Sequence, residues 1–184
     1  MDAQAIKAVT SAFQQRLQTV INNVFVGPLD DPGAADATAV LFLYRVAVNA
    51  DLRNALHQPS PSPQDPMPEE RDGGLPLDLY YLLTAGSART GGELETLATL
   101  GEAIQNLNDV PYLVGSAVGN EIVRLSLDTV SSDEMGRIWT LFPTANYRTS
   151  VVYLATPVWI DRAAVVTPAG PVFSEPHRFG PITA

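Results

Sequence analysis

The sequence predicts an α+β domain: a mixed, largely antiparallel sheet of about four main strands, flanked by helices. Three observations predict it. Two stretches, residues 75–86 (LPLDLYYLLTAG) and 38–48 (TAVLFLYRVAV), are apolar on both alternating faces, as strands covered by helices on both sides are. Two others, residues 6–24 and 93–108, repeat their apolar residues with helical period. The resulting order, α, β, β, α, β, α, β, does not alternate strictly, which argues against a purely parallel doubly wound sheet.

The first helix carries Ile6, Val9, Phe13, Leu17, Val20 and Val24 as one stripe, with Asp2 suited to cap its start and Asn22 and Asn23 its end. Residues 27–37 are a loop whose acids Asp30, Asp31 and Asp36 lack the spacing and ligand number of a calcium site. In the strand 38–48, Val40, Phe42, Tyr44, Val46 and Val48 form one side, and Leu41, Leu43, Arg45 and Ala47 the other. Arg45 is out of place on a buried strand. It is expected to pair with a carboxylate such as Asp78, or to point into a subunit contact.

Residues 54–74 hold Pro59, Pro61, Pro63, Pro66 and Pro68 and end in Asp72-Gly73-Gly74, so they read as a long exposed loop. The strand 75–86 is the hub, with Leu77, Leu79, Tyr81 and Leu83 on one face and Pro76, Asp78, Tyr80, Leu82 and Thr84 on the other. Gly91-Gly92 opens the second helix, whose stripe is Leu94, Leu97, Leu100, Ile104 and Leu107; Asp109-Val110-Pro111 closes it. Residues 112–120 are ambiguous. Residues 121–128 alternate, with Val123, Leu125 and Leu127 inward, as a half-exposed strand near an edge does. Ser131 and Glu134 form a capping box for a helix carrying Met135, Ile138, Trp139 and Phe142, and Pro143 ends it. Residues 149–161 are the last strand, with Pro157 marking an edge or a bulge. The remaining 163–184 form a Pro-rich extension without a period, beyond a domain of residues 1–162; it is either mobile or laid along a neighbouring subunit.

Composition narrows the function. A chain of 184 residues is expected to form one domain burying about 70% of its unfolded surface. With no cysteine it has no disulfide, thiol catalyst or Cys-rich zinc site. A formal charge of −9 and the absence of any basic run argue against nucleic-acid binding. No apolar run approaches the ~20 residues a bilayer crossing needs, and the N-terminus is an amphipathic helix rather than a signal peptide. His57 and His177 both sit in Pro-rich segments without a second ligand at metal spacing, and are expected to be exposed. Gly115–Gly119 has the wrong spacing for a nucleophile elbow. Lys7, the only lysine, lies inside a helix rather than a phosphate loop. No catalytic site, metal or cofactor is expected.

Six motifs occur in order: LFLYRVAVN with Leu52-Arg53-Asn54, LPLDLYYLLT with Ala85-Gly86, LGEAIQNL before Asp109-Val110-Pro111, VRLSL, SSDEMGRIW, and YRTSVVY. Together, over roughly residues 3–162, they resemble the N-terminal domain of the cap, or tail-terminator, proteins of phage-tail-like contractile injection systems. The resemblance implies a fold similar to phage tail terminators. It also implies a hexameric ring closing the tail at the end distal from the baseplate, in contact with the inner tube and the sheath. Expected partners are therefore further copies of the chain, sheath protein and inner tube protein, with assembly in the cytoplasm. The candidate adhesive parts are the first helix, the 58–74 loop and the extension. Within and around them Arg45, Pro61, Pro63, Arg71, Arg162, Phe173, Arg178 and Phe179 are the candidate contact residues. A neck or connector ring, or a small enzyme with a cleft around Asp30 or His57, are the alternatives.

Overall fold

A computed structural model describes residues 1–57, 61, 66, 74–86 and 92–161. The chain runs α1 (Ala5–Leu17), β1 (Val24–Val26), a short 3-10 turn (Pro32–Ala34), β2 (Ala39–Val48), β3 (Leu75–Ala85), α2 (Glu93–Asp109), β4 (Tyr112–Leu113), a second 3-10 turn (Ser116–Val118), β5 (Val123–Asp128), α3 (Ser132–Trp139) and β6 (Ser150–Ile160). The strands form one curled sheet in the order β1-β2-β3-β6-β5-β4. Among the described residues only the β1–β2 pairing is parallel. The expected mixed sheet of four main strands is thus present, with a very short strand added at each edge.

β3 holds the centre, as its two apolar faces require. Leu77, Leu79, Tyr81 and Leu83 pack under Val9, Phe13 and Leu17 of α1 and Leu100, Ala103 and Leu107 of α2. Phe13 meets the rings of Tyr81 and Tyr153 edge-on, at 5.2 and 5.8 Å, and the Tyr81 hydroxyl shares a 2.8 Å hydrogen bond with Thr10. On the opposite face Leu82 and Val152 pack under Ile138, Trp139 and Phe142, with Phe42 and Tyr44 beside them. The predicted cap of α3 forms: the Glu134 amide donates to Ser131 Oγ at 3.1 Å.

Several expectations need correction. α1 stops at Leu17; Val20 is exposed, Ile21 takes the buried place, and Val24 begins β1 by pairing with Ala39. The helical period continued past the helix because a three-residue strand carries too few positions to break it. Leu94 is 80% exposed and Leu97 is also exposed, so the first turns of α2 extend beyond the core. Leu127, read as inward, is 52% exposed. Of the two places expected for Pro157, the bulge is the one observed: the β3–β6 register shifts between Leu77 and Leu79, opposite Ala155–Val158. β5 pairs with β6 only as far as Thr156, so no ladder bond to β5 is required of Pro157.

Burial pushes the Tyr153 hydroxyl up to about 12, and it has no hydrogen-bond partner among the described residues. Burial does the same to Tyr81, to about 12, against the smaller lowering effect of its bond to Thr10. An unfolded tyrosine ionises near pH 10. The stability held by the neutral rings is therefore complete below about pH 10 and is lost as pH rises from there toward 12. Tyr153→Phe is expected to match or exceed the parent's stability at pH 7, by up to ~1 kcal/mol, because it removes an unsatisfied buried hydroxyl. It should also lose stability more gently between pH 10 and 12. Urea unfolding across that range checks both.

Candidate assembly surfaces

At one end of the sheet the chain ties four segments together. His57, expected in an exposed loop, is buried, with its ring stacked on Trp159 of β6 at 4.5 Å. Its Nδ1 lies 2.8 Å from Asp161 Oδ1, and its Nε2 lies 2.9 Å from Glu121 Oε1, at ion-pair distance but off hydrogen-bond alignment. The Met1 ammonium is 3.0 Å from Asp161 Oδ2 and 3.8 Å from Glu121. Gly74 permits this packing, since a Cβ there would lie 3.0 Å from the Trp159 ring and 3.4 Å from His57 Cβ. The histidine is thus a joint between residues just before 58–73 and just before 162–184. It bridges two carboxylates rather than facing a common point with them, and among the described residues no cluster is placed to hold a metal ion.

Along β2, the bulge at Tyr44 decides the surface. Leu43 pairs with Tyr81 but Arg45 pairs with Tyr80, so alternation is broken by one residue. Arg45 therefore moves to the α3 face, where its guanidinium lies 4.7 Å from the centre of the Tyr80 ring. The expected Arg45–Asp78 pair does not form. Asp78 Oδ1 instead accepts from Asn49 Nδ2 and Thr156 Oγ1, fastening the turn after β2 to the bulge in β6. The same one-residue break turns Val46 and Val48 onto the α1/α2 face, opposite Leu79 and Leu77, yet both are nearly half exposed. Leu75, on that face of β3, is exposed as well. Among the described residues no helix covers this corner of the sheet.

Other apolar side chains reach solvent in groups. Tyr112, Val114 and Ile122 lie around the β4 edge, and Leu141 and Tyr147 lie beyond α3. A shallow groove of about 400 Å³ runs between Val130–Ser132, Met135, Gly136 and Tyr147. Another, of about 370 Å³, is lined by Val20, Glu102, Gln105, Asn106 and Asp109. Asp30 is exposed beside the 3-10 turn that Asp31 caps, its Oδ1 accepting from the Gly33 amide at 2.7 Å.

Of the candidate contact residues, Arg45 and Pro61 are exposed. Pro63, Arg71, Arg162, Phe173, Arg178 and Phe179, and with them His177, lie outside the described residues. Among the described residues no helix is long and apolar enough to cross a membrane. Sequence reading missed the exposed Val46, Val48, Leu94 and Leu97, because exposure of an apolar stripe depends on what lies over it. The only signal within the sequence was Arg45, an interruption that coincides with the bulge.

A family model described as the Pvc16 N-terminal domain matches residues 4–174. No curated protein sequence matches the chain. Among solved structures, the fold is similar to the PVC sheath/tube terminator of an extracellular contractile injection system in its extended state. The TM-score is 0.65 and the identity 17%, over 100% of this chain and 66% of that one. It is also similar to the anti-feeding prophage cap, a tube-terminating cap, with a TM-score of 0.63 and 19% identity, over 93% of this chain and 60% of that one. The chain therefore spans slightly under two thirds of the length of either.

Proposed function

The chain belongs to the Pvc16 N-terminal domain family, and on that premise we propose that it is a structural cap, or tail terminator, of a contractile injection system. In this reading it forms a ring, a homohexamer, that ends tube and sheath polymerisation at the end distal from the baseplate. Its partners are other copies of itself, sheath protein and inner tube protein, with neither nucleic acid nor a catalytic step involved. It joins the phage-tail-like particle during assembly in the cytoplasm. The observation that carries the proposal is the family match across 4–174; the likeness of fold to two terminators supports it.

The physical logic is that of stopping a polymer. A growing tube or sheath presents a face that recruits the next ring. A ring that matches this face, but offers no copy of it outward, ends growth. Particles assembled without this protein are expected to show tails of uncontrolled length by electron microscopy, with length control restored by adding it back. Unchanged tail lengths would count against the cap reading, and loss of a head or neck with normal tails would favour a connector.

The extension 163–184 and the contact residues Arg45, Pro61, Pro63, Arg71, Arg162, Phe173, Arg178 and Phe179 are the adhesive parts in this proposal. A chain ending at residue 162 is expected to keep its circular dichroism spectrum while losing ring or sheath association at least tenfold. Global unfolding of that truncation would contradict the proposed boundary.

A further inference from the structure

We propose that the outer edge of β2 beyond the β1 pairing is an acceptor site, and that residues 163–167 of the adjacent copy in the ring add to it as a strand. This deepens the cap reading and rests on it. β1 pairs only with Ala39–Leu41, so among the described residues nothing pairs with the outer side of β2 from Phe42 to Val48. Asn49 donates its amide to the Pro76 carbonyl, and Val48 lies opposite Leu77. In antiparallel geometry this makes Val48–Leu77 and Val46–Leu79 the non-hydrogen-bonded pairs. The amides and carbonyls of Val46 and Val48 therefore point away from β3, toward the open edge. Their side chains, 45% and 46% exposed, lie on the corner that the helices leave bare. Donors, acceptors and apolar surface coincide there, which is what an added strand uses.

The occupant follows from where the described chain stops. β6 ends at Ile160, opposite Leu75, at the same end of the sheet as Val48. Residues 163–167 are Ala-Ala-Val-Val-Thr, followed by Pro168, a short β-competent run with a natural stop. Within one copy this run cannot reach the site. β3 and β2 lie between β6 and the open edge, so an added strand would sit three strand spacings from β6, about 14 Å. Arg162 alone would have to cover that distance, and one residue spans at most ~3.6 Å. The segment from Asn49 to His57 also crosses this end of the sheet to reach Trp159. The occupant is therefore supplied by an adjacent copy. Donor and acceptor are then different surfaces, the head-to-tail arrangement that closes rings rather than two-fold dimers.

The absence of cysteine makes the test clean. Val46→Cys and Val165→Cys are prepared separately, mixed under conditions of ring assembly and oxidised. The expected product is a disulfide between the two different chains, and the double variant should give a covalent ladder up to the full ring. No cross-link between chains, or only Val46–Val46 pairs, overturns the proposal. A second variant, Val46→Pro, removes an outward amide and leaves the β2–β3 ladder intact. It should keep the parent's spectrum and unfolding midpoint but need at least tenfold more protein to form the ring; unchanged assembly overturns the proposal. Native mass spectrometry separates the two levels. A ring that forms without the cross-link removes this contact and leaves the cap reading standing. A chain that stays monomeric with tube and sheath present removes both.

Discussion

Gly86→Ala is expected to destabilise the domain by about 3 kcal/mol, the upper end of what overpacking usually costs. Gly86 follows β3 and donates its amide to the Thr38 carbonyl at 2.8 Å. A Cβ at this position would lie 1.8 Å from the Ala37 carbonyl oxygen and 2.5 Å from its carbon. These are backbone atoms, and no rotamer change moves them aside. Relief requires shifting either the end of β3 or the entry to β2, and the Ala39–Ala85 pairing joins the two. For a domain of this size the expected fall in Tm is about 10 °C. Gly101→Ala is the matched control: it lies in α2 with nothing within 4 Å of an added Cβ. That change should raise stability by up to ~1 kcal/mol. Equal behaviour of the two variants in urea unfolding would show that the Gly86 contact is not limiting.

His57→Ala is expected to cost a similar amount, about 3 kcal/mol, by a different route. It takes the imidazole from beside the buried Glu121 carboxylate, whose Oε1 keeps the Met1 ammonium at 3.8 Å. Taking a polar neighbour from a buried carboxylate leaves that charge less compensated, which is the expensive part. The ring also leaves the face of Trp159. Adding Glu121→Gln to His57→Ala should recover part of the loss, because it removes one stranded charge. Strict additivity of the two changes in a double-mutant cycle would show that the imidazole and Glu121 do not interact. The consequence extends to assembly, because His57 and Asp161 stand at the roots of 58–73 and 162–184. Loss of the joint should therefore weaken ring formation more than an equally destabilising change in the α1 core.

Much of this was legible from residue order. The central position of β3 followed from Leu77, Leu79, Tyr81 and Leu83 on one face and Leu82 on the other, and both faces are covered. The cap at Ser131 was readable because it is satisfied within four residues. The failures share one cause: they depend on contacts between distant segments. The sequence predicts an exposed loop residue at His57, yet the Asp161 and Glu121 that bury it are over sixty positions away along the chain. Charge alone matches Arg45 to Asp78, but a bulge places Arg45 beside Tyr80 and leaves Asp78 to Asn49 and Thr156. The strand Val24–Val26 exists only because Ala39–Leu41 lies beside it.

The sequence by itself therefore determined the class of fold, the identity of the core strands and helices, and the family resemblance, since periodicity and local motifs are written in neighbouring residues. Only the tertiary structure decided which apolar residues stay uncovered and which edge of the sheet stays open. Those outcomes are set by the lengths of β1, α1 and α2 relative to the sheet they cover, and by a one-residue bulge that reverses every side chain after it. Neither quantity has a signature in local sequence.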